Sequence, residues 1–231
     1  MKISWSLPLD PAGATGETSG GMAFTIRPIR STDGPALEEA FEMLSPESRY
    51  LRFFSVKERL GSDLVKRLTD IDHDGHRAWV VFDPSGAAGP LGGVARTTPE
   101  GLGVAIARLI EIPGEPGVAE AALVVADAFQ GRGFGRLLLE LLIGTAQGTG
   151  VSFIRFETLR RNAGMKKLLQ NRNVEVNREL SDREVLVFDL PVPAESDEDV
   201  VALGALYDLL RFIAANDAAA NDAASSEAAE D

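Results

Sequence analysis

A mixed α/β fold, one central sheet flanked by helices, is what the order of apolar patterns along this 231-residue chain predicts. Strand-like and helix-like stretches alternate through most of the sequence. The last two, VEVNREL and REVLVFDL, alternate apolar and polar residues around Ser181 and Asp182 as an antiparallel hairpin does. The length suits one full domain with a real core, so the expected organisation is a flexible leader over 1–22 and one domain over 23–191. An amphipathic C-terminal helix over 192–215 and a disordered acidic tail over 216–231 should follow.

The elements follow in order. Gly, Thr, Ser and Pro dominate the first twenty or so residues, which reads as a loose leader. FTIRPI alternates as a strand, and STDGPALEEAFEML starts on cap-forming residues before placing Leu37, Ala40, Phe41 and Leu44 on one helical face. LSPESRYLRFF and GSDLVKRLTDI suggest further helix, and RAWVVFD is a compact strand ended by the turn DPSG. Either or both of LGGVAR at 91–96 and LGVAIARLI at 102–110 can be strand. The second half parses as strand GVAEAALVVAD, helix GFGRLLLELLIGTAQGTG, strand VSFIRFETL and helix NAGMKKLLQNR, before the closing hairpin. In DEDVVALGALYDLLRFIAA, residues Val200, Leu203, Leu206, Leu210 and Ile213 share a side, which should dock on the domain or on a partner subunit of a homodimer. NDAAANDAASSEAAED is low-complexity and acidic.

Composition narrows the function classes. With no cysteine, disulfides, thiolate metal sites and cysteine nucleophiles are excluded, and two histidines, His73 and His76, cannot build a histidine-rich metal cage. No metal site is expected. The net charge of -12 belongs mainly to the end of the chain: ten acidic residues and one basic residue from 194 onward carry -9 of it. Nothing supplies the broad basic stripe of a nucleic-acid binder, and no run resembles a signal peptide or a membrane span, so a cytoplasmic protein without nucleic-acid or membrane partners is expected.

Chemistry concentrates in QGRGFGR at 130–136, between the strand AALVVAD and the helix LLLELLI. A strand entering a glycine-rich turn that opens a helix leaves backbone N–H groups unpaired at the positive end of the helix dipole, which is an anion cradle. A P-loop needs Lys and then Ser or Thr after the last glycine, where this chain has Arg136 and Leu137. A dinucleotide loop needs its third glycine one residue later. Glu157 at the end of the next strand, where a ribose-binding acid would sit, keeps that alternative open.

With Gln130 included the segment reads Q-x-x-G-x-G, which resembles the acetyl-CoA-binding motif of the GNAT superfamily of N-acetyltransferases. FTIRPIRSTD, AEAALVVADAFQGRGFGRLLLELL and the N-x-x-M of NAGMKKLL resemble further segments of that fold, and the similarity spans about Phe24 to Leu190. LSPESRYLRFF and LTDIDHDGHRA resemble the bacterial branch that includes protein lysine acetyltransferases, some of which carry attached modules that this chain has no room for.

The resemblance implies a GNAT-like mixed sheet and acetyl-CoA-dependent N-acetylation of a primary amine, with protein lysine preferred and a small-molecule amine or an inactive CoA-binding module as alternatives. It implies that backbone N–H groups of Gln130, Gly131, Arg132, Gly133, Phe134 and Gly135 hold the CoA pyrophosphate, with Arg132 and Arg136 adding charge. The strand edge at Leu123, Val124 and Val125 would align the pantetheine arm, and Asn162 would hydrogen-bond it, cap the next helix, or both.

A lysine amine with a pKa of about 10.4 must lose a proton before attacking a thioester. Glu120 is the expected base: alternation sets it with Ala122 and Val124 on one face, among small apolar neighbours that desolvate a carboxylate and make it more basic. No general acid is assigned, because MKKLLQNR lacks the tyrosine many members use there, and NRNVEV replaces the usual Gly-Phe. His73 and His76 are expected in a solvent-exposed turn, with Arg52, Phe53 and Phe54 lining the acceptor side or packing in the core.

Overall fold

The computed structural model describes residues 5–6, 14–17, 22–85, 98–170 and 172–193. Among them are nine strands: β1 (Trp5–Ser6), β2 (Ala14–Glu17), β3 (Ala23–Pro28), β4 (His76–Asp83), β5 (Leu102–Glu111), β6 (Val118–Val125), β7 (Phe153–Leu159), β8 (Glu175–Val176) and β9 (Val185–Pro191). Five helices accompany them: α1 (Gly34–Glu42), α2 (Pro46–Phe53), α3 (Ser62–Thr69), α4 (Phe134–Gln147) and α5 (Ala163–Leu169).

The strands form one sheet in the order β1-β2-β3-β4-β5-β6-β7-β9-β8. Every neighbouring pair is antiparallel except β6 and β7. That pair is parallel because α4 carries the chain back between them, and two parallel strands cannot be joined by a hairpin. An otherwise antiparallel sheet is not a doubly wound dinucleotide fold, so the dinucleotide alternative for the glycine loop falls.

Helices cover both faces. α4 has ten buried residues and packs Leu138, Leu139 and Leu142 against Ala107 and Leu109 of β5, Ala119 and Ala121 of β6, and Ile154 and Phe156 of β7. Alanines on the sheet let the helix approach closely, and leucines fill the space. Thr145 is fully buried in this layer yet satisfied: it donates to Leu141 O at 2.7 Å and accepts from Trp79 Nε1 at 3.1 Å. On the other face Phe41, Leu44 and Leu60 form a smaller cluster under α1, α2 and α3, reached from the sheet by Val124.

Arg27 of β3 anchors α1. Its guanidinium is 1% exposed and donates to both oxygens of Asp33 at 2.7 and 2.8 Å and to Glu100 at 2.8 Å, over the ring of Phe82. These hydrogen bonds outweigh the cost of burial and hold the arginine above its ordinary pKa and Glu100 below its own.

Several expectations are revised. Trp5–Ser6 and Ala14–Glu17, in the stretch expected to be a loose leader, extend the sheet beyond β3. Leu102–Glu111 is strand, whereas LGGVAR at 91–96 lies outside the described residues, as do the expected C-terminal helix from 194 on and the acidic tail. The final hairpin has a short first strand, because the Asn177 side chain accepts from Leu180 N at 3.2 Å and turns the chain after Val176.

Asp33→Ala removes two of the hydrogen bonds on a buried guanidinium. Urea unfolding should show a loss of about 3–5 kcal/mol.

Candidate functional site

The ladder between β6 and β7 is incomplete. It runs from Val118 opposite Phe153 to Ala121 opposite Phe156 and stops there, although β6 continues to Val125 and β7 to Leu159. Each strand stays paired on its other side, β6 with β5 and β7 with β9, so a gap opens inside the sheet.

Hydrogen-bond parity says which groups face the gap. Ile112 N donates to Val118 O and Ala126 N donates to Val104 O, so the even-numbered residues of β6 turn their backbone toward β5. Val124 is therefore committed to β5, while Leu123 and Val125 present theirs to the gap. The Val125 carbonyl is partly occupied, accepting from Gln130 Nε2 at 3.1 Å. Side chains obey the same alternation: Ala121 and Val125 are buried toward α4, and Glu120, Ala122 and Val124 face α2.

At the end of β6 the chain makes one tight turn over Asp127–Phe129 and enters the glycine loop. Gly131 and Gly133 have φ of +73° and +97°, a region L side chains rarely adopt, and Gly133 is the residue from which α4 departs. No side chain caps that helix, and the first bond back to Gly133 O comes from Leu137 N at 3.0 Å. The N–H groups of Phe134, Gly135 and Arg136 are thereby left at the positive end of a helix of 14 residues. Gln130 differs from its expected role, since its N–H is spent on Asp127 O at 3.2 Å. Phe134 is 1% exposed and meets Phe24 and Phe129 edge-on, anchoring the loop in the core. Arg132 lies over the Phe129 ring, and the exposed Arg136 is 3.7 Å from Glu140.

The opposite rim carries Asn162. Its Oδ1 accepts from Met165 N at 3.0 Å and caps α5, while its Nδ2 has no hydrogen-bond partner among the described residues. α5 buries Leu169, and Leu168 lies against Gly135, which braces the start of α4.

α2 closes the gap from the other face. Asp127 accepts from Ser45 N, Ser45 Oγ and Ser48 Oγ, each at 2.9 Å, and Arg161 stacks over the Tyr50 ring at 4.6 Å. The helix is thus pinned both to the glycine loop and to the end of β7. None of Ser45, Ser48, Tyr50, Asp127 or Arg161 stands out in the sequence; only the Ser-Pro-Glu-Ser start of α2 marks a helix cap.

On the α2 face, Glu120 is exposed and not enclosed by apolar neighbours as expected: its partner across the β6–β7 ladder is Arg155, and the charged Glu157 and Arg52 lie near it. Glu157, on the same face, is pushed above the usual carboxylate range by partial burial and by Glu120, with Arg155 opposing. Phe53 packs edge-on against Phe41, and Phe54 ends α2 in the left-handed region at φ 55°. Burial holds Arg52 below the ordinary arginine value, with Glu120 opposing.

His73 lies in the turn, but His76 begins β4, where Nε2 sits 2.8 Å from Arg108 Nη1. A guanidinium can only donate, so Nε2 is the acceptor and the ring is neutral with its proton on Nδ1. Burial and then Arg108 lower His76 to about 4. It was missed as a strand residue because the preceding IDHDGH reads as turn.

Comparison with known proteins matches residues 50–173 to the acetyltransferase (GNAT) family. Acetyltransferase Pat of Mycolicibacterium smegmatis is 30% identical over 173 residues, covering 75% of this chain and 47% of that protein, so the chain spans about half the length of the curated relative. The GNAT domain of S. lividans PAT superposes with a TM-score of 0.65 at 25% identity, over 80% of this chain and 99% of that one. A spermidine N-acetyltransferase from Vibrio cholerae, solved with CoA and spermine, shares the fold at 17% identity and a TM-score of 0.54, over 73% and 95%.

The neutral His76 makes stability pH-dependent. Its folded pKa lies below the unfolded value of 6.5, so stability is full above that and falls as pH drops toward about 4. Thermal unfolding across this window should show the loss in the natural chain and a shallower one in His76→Gln.

Proposed function

The chain belongs to the acetyltransferase (GNAT) family, and from that premise we propose that it transfers the acetyl group of acetyl-CoA to a primary amine, a protein lysine, in the cytoplasm. The observation that carries this reading is the gap between β6 and β7 beside an uncapped helix N-terminus.

The residues present fit acetyl-CoA. A pyrophosphate suits the N–H groups of Gly131–Arg136, which the left-handed glycines and the α4 dipole turn outward. Arg132 and Arg136 stand on the same loop to add charge. The pantetheine amides suit the free Leu123 N–H and C=O and the Val125 N–H, and would lie there as a substitute strand, with Asn162 Nδ2 on the far rim. When bound, acetyl-CoA supplies a thioester whose carbonyl carbon accepts the amine.

Glu120 is the base we assign. On the α2 face of β6, one residue before the last paired position of the ladder, it is exposed and open to an amine arriving from solvent. It takes the ammonium proton, directly or through water, freeing the nitrogen pair for attack. The new C–N bond forms, the C–S bond breaks with its electron pair leaving on sulfur, and the second proton of the attacking nitrogen passes to solvent water as the amide forms. Among the residues of α5 there is no tyrosine to protonate that sulfur. A thiol of pKa about 8.5 leaves adequately without one. Lysine is favoured as acceptor by the resemblance of LSPESRYLRFF and LTDIDHDGHRA to the branch that includes protein lysine acetyltransferases; a polyamine acceptor has only a shared fold behind it.

Release of free CoA, followed with acetyl-CoA and either a lysine peptide or spermidine, tests the assignment. Turnover with the peptide is expected. Turnover with spermidine alone reassigns the acceptor, and none with either reduces the protein to a CoA-binding module. Glu120→Gln should keep acetyl-CoA affinity and lower kcat by about 10² to 10⁴. Gly133→Val forces a branched side chain into a left-handed position, and calorimetry should show acetyl-CoA binding weakened about tenfold, the equivalent of about 1–2 kcal/mol.

A further inference from the structure

Four arginines are buried among the described residues: Arg27, Arg77, Arg108 and Arg155. Three pair with carboxylates. Arg27 meets Asp33 and Glu100, Arg77 meets Asp74 and Glu111, and Arg155 meets Glu115 and Asp189. Arg108 does not. It is 4% exposed and gives Nη1 to His76 Nε2 and Nη2 to Leu68 O, both uncharged acceptors, with no carboxylate of the described residues at ion-pair distance. A guanidinium has five N–H groups in a planar fork, so most of this one remains unspent.

A second cation stands next to it. Arg52 of α2 is near enough to oppose the charge of Arg108, and among the described residues it donates no hydrogen bond; its side-chain contact is the ring of Phe53. The carboxylate that answers Arg52 is Glu120, through space and not as an ion pair. Two like charges that oppose each other on the walls of one cavity, neither of them in an ion pair among the described residues, form an arrangement that a bound anion would complete.

Arg52 and Arg108 both contribute to the walls of one largely apolar cavity of about 60 Å³, whose other walls include Phe53, Leu68, Val80, Ile106 and Val124, and whose acid, Asp33, is already held by Arg27. The cavity lies on the α2 face of the sheet, the face that carries Glu120. Methylene groups suit the walls and an acid group suits the arginine end.

We propose that Arg52 and Arg108 form a carboxylate-binding subsite beside Glu120, which selects a substrate carrying an acid group on a short apolar chain. The subsite rests on the acyl-transfer reading of the Glu120 face. The carboxylate comes either from the far end of the acyl donor, as in a succinyl thioester, or from the acceptor amine. In both cases it forms charge-assisted hydrogen bonds to donors the fold leaves free.

Two matched comparisons, run on the whole chain and on Arg52→Gln, test this. The donor arm sets succinyl-CoA against acetyl-CoA with one amine. The acceptor arm sets 4-aminobutyrate against its carboxamide with acetyl-CoA. In one arm the natural chain should favour the acid by about tenfold or more in kcat/KM, the effect of one good charge-assisted contact. Arg52→Gln should erase that preference, read as the ratio of the acid to the uncharged pairing within the variant itself. The arm that shows the preference names the source of the carboxylate.

Turnover in both arms with no preference in either overturns the subsite. So does an equal loss with every pairing, which would mean that Arg52 serves only to steer Glu120. A reading independent of turnover is the thermal shift given by glutarate alone. Protection of the natural chain but not of Arg52→Gln supports the subsite even where acetyl-CoA neither binds nor reacts, an outcome that would sink the acyl-transfer reading by itself. Absence of both protection and preference removes the subsite while leaving acetyl transfer to a lysine peptide intact.

Discussion

Two parallel strands that part company halfway are the constraint on which the rest of the molecule turns. β6 and β7 pair only as far as Ala121 and Phe156. Beyond that point Leu123 and Val125 are left with backbone groups that a folded protein ordinarily satisfies. Leaving such groups open costs free energy unless something else occupies them, and an extended chain bearing amides is the natural occupant. The gap persists because each strand is locked on its outer side, β6 into seven registered pairs with β5 and β7 into seven with β9. Neither can swing across without dismantling a longer ladder.

The helices then give the gap its two ends. α4 is a crossover, obliged by the parallel pair, and its uncapped start falls at the mouth of the gap because Gly131 and Gly133 turn the chain there. α2 lies across the other face, tied by Ser45 and Ser48 to Asp127 and by Tyr50 to Arg161. A shift of the loop that carries Asp127 would therefore move the helix that carries Arg52. The glycine loop and α2 are mechanically joined through one aspartate.

Much of this was legible in the sequence because it is local. The period-2 pattern of AEAALVV put Glu120, Ala122 and Val124 on one face, and the spacing of leucines in LLLELLI marked a helix buried along most of its length. Glycines before that helix announced left-handed turns. What stayed hidden depends on residues far apart in the chain: the Asp127 clip spans about 80 residues, and the neighbouring arginines come from α2 and β5. His76 read as turn because its neighbours are turn formers, and only pairing with Ile110 reveals it as strand. Val124 reads like its neighbours, yet its backbone faces β5; the side-chain pattern cannot show which way a carbonyl points.

Amide hydrogen exchange with and without acetyl-CoA addresses the gap most directly. Acetyl-CoA should slow exchange at the Leu123 and Val125 N–H groups together with those of Phe134, Gly135 and Arg136, and leave Val124, already paired with β5, little changed. Unaltered exchange at Leu123 and Val125 in the presence of saturating acetyl-CoA would contradict the account, because the donor would then lie somewhere other than along the open edge of β6.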